Sequence, residues 1–403
     1  MRFLHTSDWH LGQKLLLYDR IDEHQLALNW LLDCIKNEKI DALIVAGDIF
    51  DIGNPPNAAR RLYYQFLTQL VATQCRYVVI VGGNHDSPAM LHAPKELLEA
   101  LRIFVVGAAS EEPADDVLEL RSEAGEVEAI IAAVPFLRDR DLQYSVAGID
   151  GAERVDRIKA GIVEHYAKVG HLAKAYSDQN IPTLTTGHLY ATGAAASAKQ
   201  DNIYIGNTEN IRADQFPEIF SYVALGHIHR MQTIGKQQHI RYSGSLIPLS
   251  FSETKDDKQV LILDYEGANL VGVTSKMVPT YRRLKTIRGN VQEVKERLRA
   301  FEARGERMLR PWVEILVETD EVTPGLDIEL RSLSANMDLD ILKIRILRTE
   351  SALDEHAEAV DLEQLEITDV FSKKCVSYGV PEEQLAELDQ TFRELQEWMN
   401  EQA

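Results

Sequence analysis

Eight side chains of metal- or phosphate-binding types in this 403-residue sequence stand together in five short strings. Asp8 and His10 stand two apart in MRFLHTSDWHLG. Asp48 follows Gly47, Asn84 and His85 follow Gly83, His188 follows Gly187, and His227 and His229 follow Gly226. Taken singly, each string is also what a capped turn or a satisfied core histidine looks like. Each, however, ends an apolar run of strand type, and four of the five carry a glycine immediately before the first polar residue. Glycine at such a corner lets the backbone turn sharply and lets a ligand come close.

The number of donors narrows the chemistry. A catalytic metal that keeps a water usually takes about three protein ligands. Here two aspartates, one asparagine and four histidines are available besides His85. That set suits two metals about 3.5–4 Å apart, sharing one carboxylate, with Asp48 as the bridge. Mixed nitrogen and oxygen donors without a thiolate favour Mn, Fe, Zn or Co over calcium. Such a pair lowers the pKa of a bound water and clamps a phosphate for in-line attack. His85, next to a ligand, is spare for stabilising charge on the phosphate or protonating the leaving oxygen.

The elements that must carry these residues read as an α/β core. Met1–Thr6 predicts a strand, and an extended chain would point Asp8 and His10 the same way. A helix over 19–37, a strand over 41–46, a helix over 58–73 and a strand over 76–81 follow. Further strands are expected at 128–134, 182–186, 222–225, 240–243 and 259–265, with a long helix over 152–176. The last strands have no helices between them, which predicts a second, partly antiparallel sheet. In layered α/β folds ligands bind outside the carboxyl ends of strands, so separate strands can bring their donors to one point. Residues 189–207, rich in small and polar types, read as a mobile surface loop near that point.

Beyond Pro279 the chain changes character. Strands at 282–287, 312–318 and 341–346, with helices at 291–303 and 326–335, make a small α+β unit. After Glu350 two helices are expected, 362–377 and 381–399; their apolar positions either form a face for a partner or fold back on the chain. The expected domains are therefore 1–275, 280–348 and 350–403. The net charge of −20 is unevenly spread: Glu350 to the C-terminus carries 15 acidic and 3 basic residues, whereas Lys276–Arg348 carries 12 acidic and 15 basic. A negative total thus leaves nucleic acid open as a partner of the middle unit. Cys34, Cys75 and Cys375 are too few and scattered for a disulfide framework and read as reduced thiols of a cytoplasmic protein. No apolar run approaches the ~20 residues of a membrane span, and no signal peptide is expected. The P-loop pattern G-x-x-x-x-G-K-[ST] does not occur, so any ATP dependence must come from another chain.

The order DxH, GDxFD, GNHDS, GHL, GHIH resembles the calcineurin-like metallophosphoesterase superfamily. The longer strings HTSDWHLG, GDIFD with its Asn-Pro-Pro loop, TGHLY, ALGHIHR and YSGSLIPLSFSE are similar to its DNA-nuclease branch, over roughly residues 1–270 and more weakly beyond. The resemblance implies that Asp8, His10, Asp48 and His229 hold one manganese and that Asp48, Asn84, His188 and His227 hold the other. His85 would be the catalytic histidine. It implies a core of two sheets flanked by helices, a DNA-facing cap at 280–348, and an acidic helical end docking an ATPase subunit with a long coiled coil. It further implies a homodimer within a heterotetramer at the nucleoid, single-strand endonuclease activity, and degradation of duplex ends when the ATPase drives it. Archaeal and eukaryotic relatives carry a histidine where this chain has Asp51, so that residue's duplex-end role does not transfer. Arg138, Arg140 and Arg230 are candidate phosphate contacts, set against solvated surface charges. The SGSLIPLSF run within Tyr242–Glu253 has no titratable acid, base or histidine and is assigned no catalysis; the resemblance implies that the segment backs the site and lies near DNA. Two rival readings remain: a phosphoesterase for small esters or phosphoproteins, and a non-catalytic scaffold.

Overall fold

The apolar runs ALIVA and YVVIV form neighbouring strands, Ala42–Ala46 and Tyr77–Val81, buried along their whole length. Continuous apolarity is what a parallel strand covered on both faces requires. The computed structural model describes residues 1–142, 151–191, 211–235, 237–301, 309–319 and 324–347, with Cys375, Leu388, Thr391 and Phe392; of residues 151 and 152 the backbone alone is described.

These two strands sit in a six-stranded sheet of order Asn269–Met277, Gln259–Glu266, Arg2–Thr6, Ala42–Ala46, Tyr77–Val81, Ile103–Val106. The last four run parallel; Gln259–Glu266 is antiparallel to Arg2–Thr6. A second sheet has the order Gln232–Ile234, Gln237–Tyr242, Tyr222–Gly226, Thr183–His188, Val127–Ala132, Val117–Arg121. Its four inner strands are parallel and its two edge strands antiparallel.

Alternation along the strands stacks the layers. Phe3, Ala42, Ile44 and Val79 meet Leu184, Tyr222 and Ala224 of the second sheet in one buried cluster. Their neighbours Leu4, Leu43, Val45, Val78 and Ile80 face the other way, against helices Ile21–Asn37 and Asn57–Val71. Helix Gly151–Ala173 covers the outer face of the second sheet, with Ile162, Tyr166 and Val169 buried there. The result is helix, sheet, sheet, helix, the layered α/β core expected. Two details differ. Strand Gln259–Glu266 joins the first sheet, not the second, because its inward residues Leu263 and Tyr265 complete the layer around Phe3. Strands Ile103–Val106, Val117–Arg121 and Asn269–Met277 were not anticipated; the last two are half-exposed edges whose mixed composition carries little periodic signal.

A three-stranded sheet follows, of order Leu284–Gly289, Trp312–Glu318, Asp340–Leu347, with helices Val291–Arg299 and Leu326–Ser334. It has its own small core of Ile287, Val294, Leu298, Val313, Ile315 and Leu330. Asn290 caps the first helix, accepting from Glu293 N at 3.0 Å while the Glu293 carboxylate reaches back to Asn290 N. That reciprocal bond satisfies two donors that a helix start otherwise leaves open. This sheet seats on the large core through Leu284, Trp312 and Leu342 packed on Leu15, and through Arg282, which stacks on the Trp312 ring at 3.9 Å and reaches Glu23 of the helix Ile21–Asn37 at 3.5 Å.

The chain divides into two units, Met1–Val317 with Thr323–Ile346, and Glu318–Val322 with Leu347–Ala403. In the second, Thr319 N donates to Leu347 O at 3.1 Å. The helices expected at 362–377 and 381–399 lie outside the described residues apart from Cys375, Leu388, Thr391 and Phe392, which are helical. Among the described residues no helix is long and apolar enough to cross a membrane.

Candidate metal centre

The carboxyl ends of the inner parallel strands of both sheets open on one side of the core, and the polar residues that follow them meet there. Close backbone approach is what lets the sheets come together. A Cβ at Gly226 would fall 1.8 Å from Ala46 O, and one at Gly83 would fall 2.1 Å from Asp48 Oδ1, so neither position has room for any other residue. The first loop does not stay extended, as alternation along a strand would have it. It leaves the strand after Thr6, with Asp8 at φ 52° and His10 at φ 46°. Asp48 (φ 50°) and His227 (φ 99°) are left-handed too. Each such non-glycine residue costs about 1 kcal/mol or more, a strain that clusters at functional sites. Pairing between loops holds it: Asp8 N, His10 N and Leu11 N donate to Gly47 O, Asp48 O and Ile49 O at 2.9–3.0 Å. Trp9 anchors the turn from below, fully buried against Phe66 and donating from Nε1 to Thr6 Oγ1.

Asp48 is the centre of the cluster. Its Oδ2 lies 3.2 Å from His188 Nε2 and 3.5 Å from His10 Nε2, while Oδ1 accepts from His85 N at 2.9 Å. Asn84 Oδ1 lies 2.9 Å from His188 Nε2 and 3.1 Å from His227 Nδ1. Asp8, His10 and His229 bring ligand atoms within 4.8 Å of one another, as do Asp8, Asp48 and His188, and His10, Asp51 and His85. All seven residues expected to bind metal, with His85, are thus gathered in one place.

Second partners decide which nitrogen each ring offers. His188 Nδ1–H donates to Ala46 O at 2.9 Å, which leaves Nε2 for Asp48 and Asn84. His85 Nδ1–H donates to Asp51 O at 2.6 Å. His10 Nδ1 faces Asp51 Oδ1 at 3.2 Å, and His229 Nδ1 faces Glu253 Oε1 at 3.3 Å. Asp8 is held by Ser7 Oγ at 2.5 Å and by His227 N at 2.9 Å.

Without a cation the charges sort themselves among the side chains. Burial disfavours a charged His188, but Asp48 outweighs it and pushes the imidazole up to about 9. His10 is likewise raised to about 9 against its burial by Asp51, Asp48 and Asp8. Burial, reinforced by His188, drops His227 to about 3. Asp48 itself falls far below the usual carboxylate range: burial raises it, but His188 and His10 lower it more. His10 Nε2 is buried with no hydrogen-bond partner although it faces a carboxylate oxygen. That orphaned nitrogen, together with an all-nitrogen-and-oxygen donor set, fits a divalent ion.

Four contributors were not read from the sequence. Asp86 accepts from Gly83 N, Ile49 N and Phe50 N at 2.8–3.1 Å and so clips two ligand loops together. Glu253 backs His229, and Lys258 holds Glu253 at 2.7 Å. Ser7, linked to Ser243 Oγ at 2.8 Å, positions Asp8. Tyr242–Glu253, assigned no catalysis, therefore supplies supports to the site. No local spacing could flag Glu253, which is 24 residues from the ring it touches; it stood only at the end of the quoted string YSGSLIPLSFSE.

The three arginines are engaged. Arg138 donates to Asp86 O at 3.0 Å, bracing the Asn84–Asp86 turn. Arg140 pairs with Asp141 and Arg230 with Asp256, both guanidinium groups being largely exposed. The first residues of the 189–207 segment are tied to the core: Leu189 and Ala191 are buried, and Tyr242 Oη donates to Leu189 O and accepts from Ala191 N. Its residues 192–207 lie outside those described.

Comparison with known proteins agrees with this geometry. Residues 1–231 match the calcineurin-like phosphoesterase family, and residues 280–376 match a family described as type 5 capsule protein repressor C-terminal domain. The SbcD subunit of the nuclease SbcCD from Escherichia coli K12 is 35% identical over 395 residues, 97% of each chain. Its Rhodobacter capsulatus namesake is 33% identical over 384 residues, 90% of this chain and 91% of the other. The Bacillus subtilis one is 34% identical over 266 residues, 66% of each. On a matching core, a matching second module and near full-length identity, the chain belongs to the calcineurin-like phosphoesterases and, within them, to the family of the SbcD nucleases of SbcCD.

Proposed function

We propose that this chain is a manganese-dependent DNA phosphodiesterase that cuts single strands endonucleolytically and degrades duplex ends when an ATPase subunit, SbcC, drives it. The observation that carries the reading is the convergence of seven donors, Asp48 at their centre, with His85 bonded to that carboxylate through its backbone. Asp8, His10, Asp48 and His229 hold a first ion; Asp48, Asn84, His188 and His227 hold a second. Two bound ions there supply a water of low pKa and a clamp for the scissile phosphate.

The remaining work falls to the protein. Asp51 O accepts a hydrogen bond from His85 Nδ1–H at 2.6 Å, so Nε2 is the nitrogen left to carry a proton to the leaving oxygen. The interlaced loops keep donors from rearranging as charge builds, which is how a preorganised site lowers a barrier. The cap, 280–348, faces DNA; its share of the basic balance supports phosphate contacts there. The acidic 350–403 segment docks SbcC, in a homodimer within a heterotetramer working at the nucleoid, and the relatives' names support that partnership. The core, 1–275, holds the chemistry.

The test is cleavage of a labelled single-stranded oligonucleotide by the chain alone in Mn²⁺, Mg²⁺ or EDTA. Cutting in Mn²⁺ that EDTA abolishes is expected. His85→Gln should lose about 10²–10⁴-fold in rate with the fold and metal retained. No cutting in any metal while p-nitrophenyl phosphate is still hydrolysed would replace this reading with a small-ester phosphatase.

A further inference from the structure

The histidines of the two metal positions are held differently. At the first position each ring turns Nδ1 to a carboxylate: His10 to Asp51 Oδ1 at 3.2 Å, and His229 to Glu253 Oε1 at 3.3 Å. At the second, His188 Nδ1–H donates to the neutral Ala46 carbonyl, and His227 turns Nδ1 to the amide oxygen of Asn84, itself a donor of that position. The direct donors differ in the same sense. The first position has Asp8 as well as Asp48; the second shares Asp48 and adds only a neutral amide.

Glu253 is built into place. It is buried, and Lys258 Nζ at 2.7 Å and Leu249 N at 3.1 Å fix its Oε2. The same Lys258 Nζ donates to His229 O at 2.8 Å and to Ser245 Oγ at 2.9 Å. One ammonium thus clamps both the carboxylate behind the ring and the backbone that carries the ring, which sets how His229 is presented. A carboxylate behind an imidazole fixes its tautomer and raises its basicity as a ligand.

We propose that Asp51 and the Lys258-clamped Glu253 are positioning residues that make the Asp8–His10–His229 position the tighter of the two, leaving the Asn84–His188–His227 position the more readily exchanged. This rests on the two-ion reading above. Asp51 also lies with His10 and His85 in a group that could hold an ion. Its Oδ1, however, faces the ring nitrogen of His10 opposite to the one turned on Asp48.

The experiment titrates Mn²⁺ into the EDTA-stripped full-length protein, with free and bound ion read by electron paramagnetic resonance and folding read by thermal melting. Wild type should show two classes, the first equivalent as an isolated ion and the second converting it to a spin-coupled pair. Glu253→Gln and Asp51→Asn should each weaken the tight class about 10–100-fold, leave the weak class alone and so blur the isolated-ion stage. Stripped Asp51→Asn should still unfold as one folded species, lowered only by the loss of its pairing with His10, which keeps the test alive if Glu253→Gln does not fold. Two classes that both variants leave unchanged, or weaken equally, overturn this inference alone. A third class that Asp51→Asn abolishes makes Asp51 a ligand and overturns its role here. One ion or none in wild type overturns the two-ion reading and this inference with it.

Discussion

The metal centre and the cap follow opposite rules. At the centre, polar and charged side chains are buried together, four non-glycine residues sit in left-handed backbone, and loops from two sheets are laced by hydrogen bonds. Among the described residues of the cap, ten buried apolar side chains, nine of them on its three strands and two helices, make an ordinary small core, and the charged residues lie outside it. The first region gives up local stability for donor placement and leans on the layers beneath it. The second holds its own shape and touches the large core through a few groups around Trp312. The difference teaches that loss of function and loss of fold should separate between the two regions.

The sharpest way to test that separation is Asp48→Asn. On the proposed two-ion reading both positions would lose the carboxylate they share, so several kcal/mol of transition-state stabilisation would go, and cleavage should fall by about a thousandfold or more. Calorimetry should find metal binding lost while the stripped protein still unfolds cooperatively, lowered only by what His188 and His10 lose with their carboxylate partner. A variant that keeps two ions would break the assignment of Asp48 as the bridge.

The converse change is Leu298→Ala, at a fully buried cap position. Removing a core leucine should destabilise by about 2–5 kcal/mol. Unfolding should show it as an early transition, with Mn²⁺ affinity of the centre preserved. Equal loss of metal affinity would mean that the cap and the centre are not separable.

The gentlest probe is pH. His10 and His188 are raised to about 9 when no cation is present. In the stripped protein their contribution to stability is fully present below the ordinary histidine value of about 6.5 and is lost as pH rises through about 9. Metal needs both rings neutral, so affinity should move the other way, rising with pH up to about 9. Calorimetry in buffers of different ionisation enthalpy should read nearly two protons released on metal binding at about pH 7 and almost none well above about pH 9. Release independent of pH would place the protons elsewhere. The cap, without such pairs at its core, should contribute nothing to this dependence.

Much of the centre was legible in the sequence because its parts are local. An apolar run, a glycine and a donor are adjacent in the chain, and the meaning of Gly47-Asp48 or Gly226-His227 needs no knowledge of what packs on it. The inner strands were equally plain, since burial on both faces leaves continuous apolar runs. Edge strands such as Val117–Arg121 were not, because a half-exposed strand mixes charge with apolarity. Which sheet takes Gln259–Glu266 depends on Phe3 and Tyr222, far away in the chain.

The sequence by itself named the candidate donors: which residues, of what softness, and on how many strand ends. Only the tertiary structure decided how they are held. Asp8 and His10 converge through left-handed backbone braced on Gly47–Ile49, not through strand alternation. Glu253, Asp51 and Asp86 act at contacts spanning 24 to 41 residues. Ligand identity is a property of a side chain and can be read where it stands. The tautomer, the tilt of a ring and the charge behind it belong to pairs of residues, and a pair exists only once the chain has closed on itself.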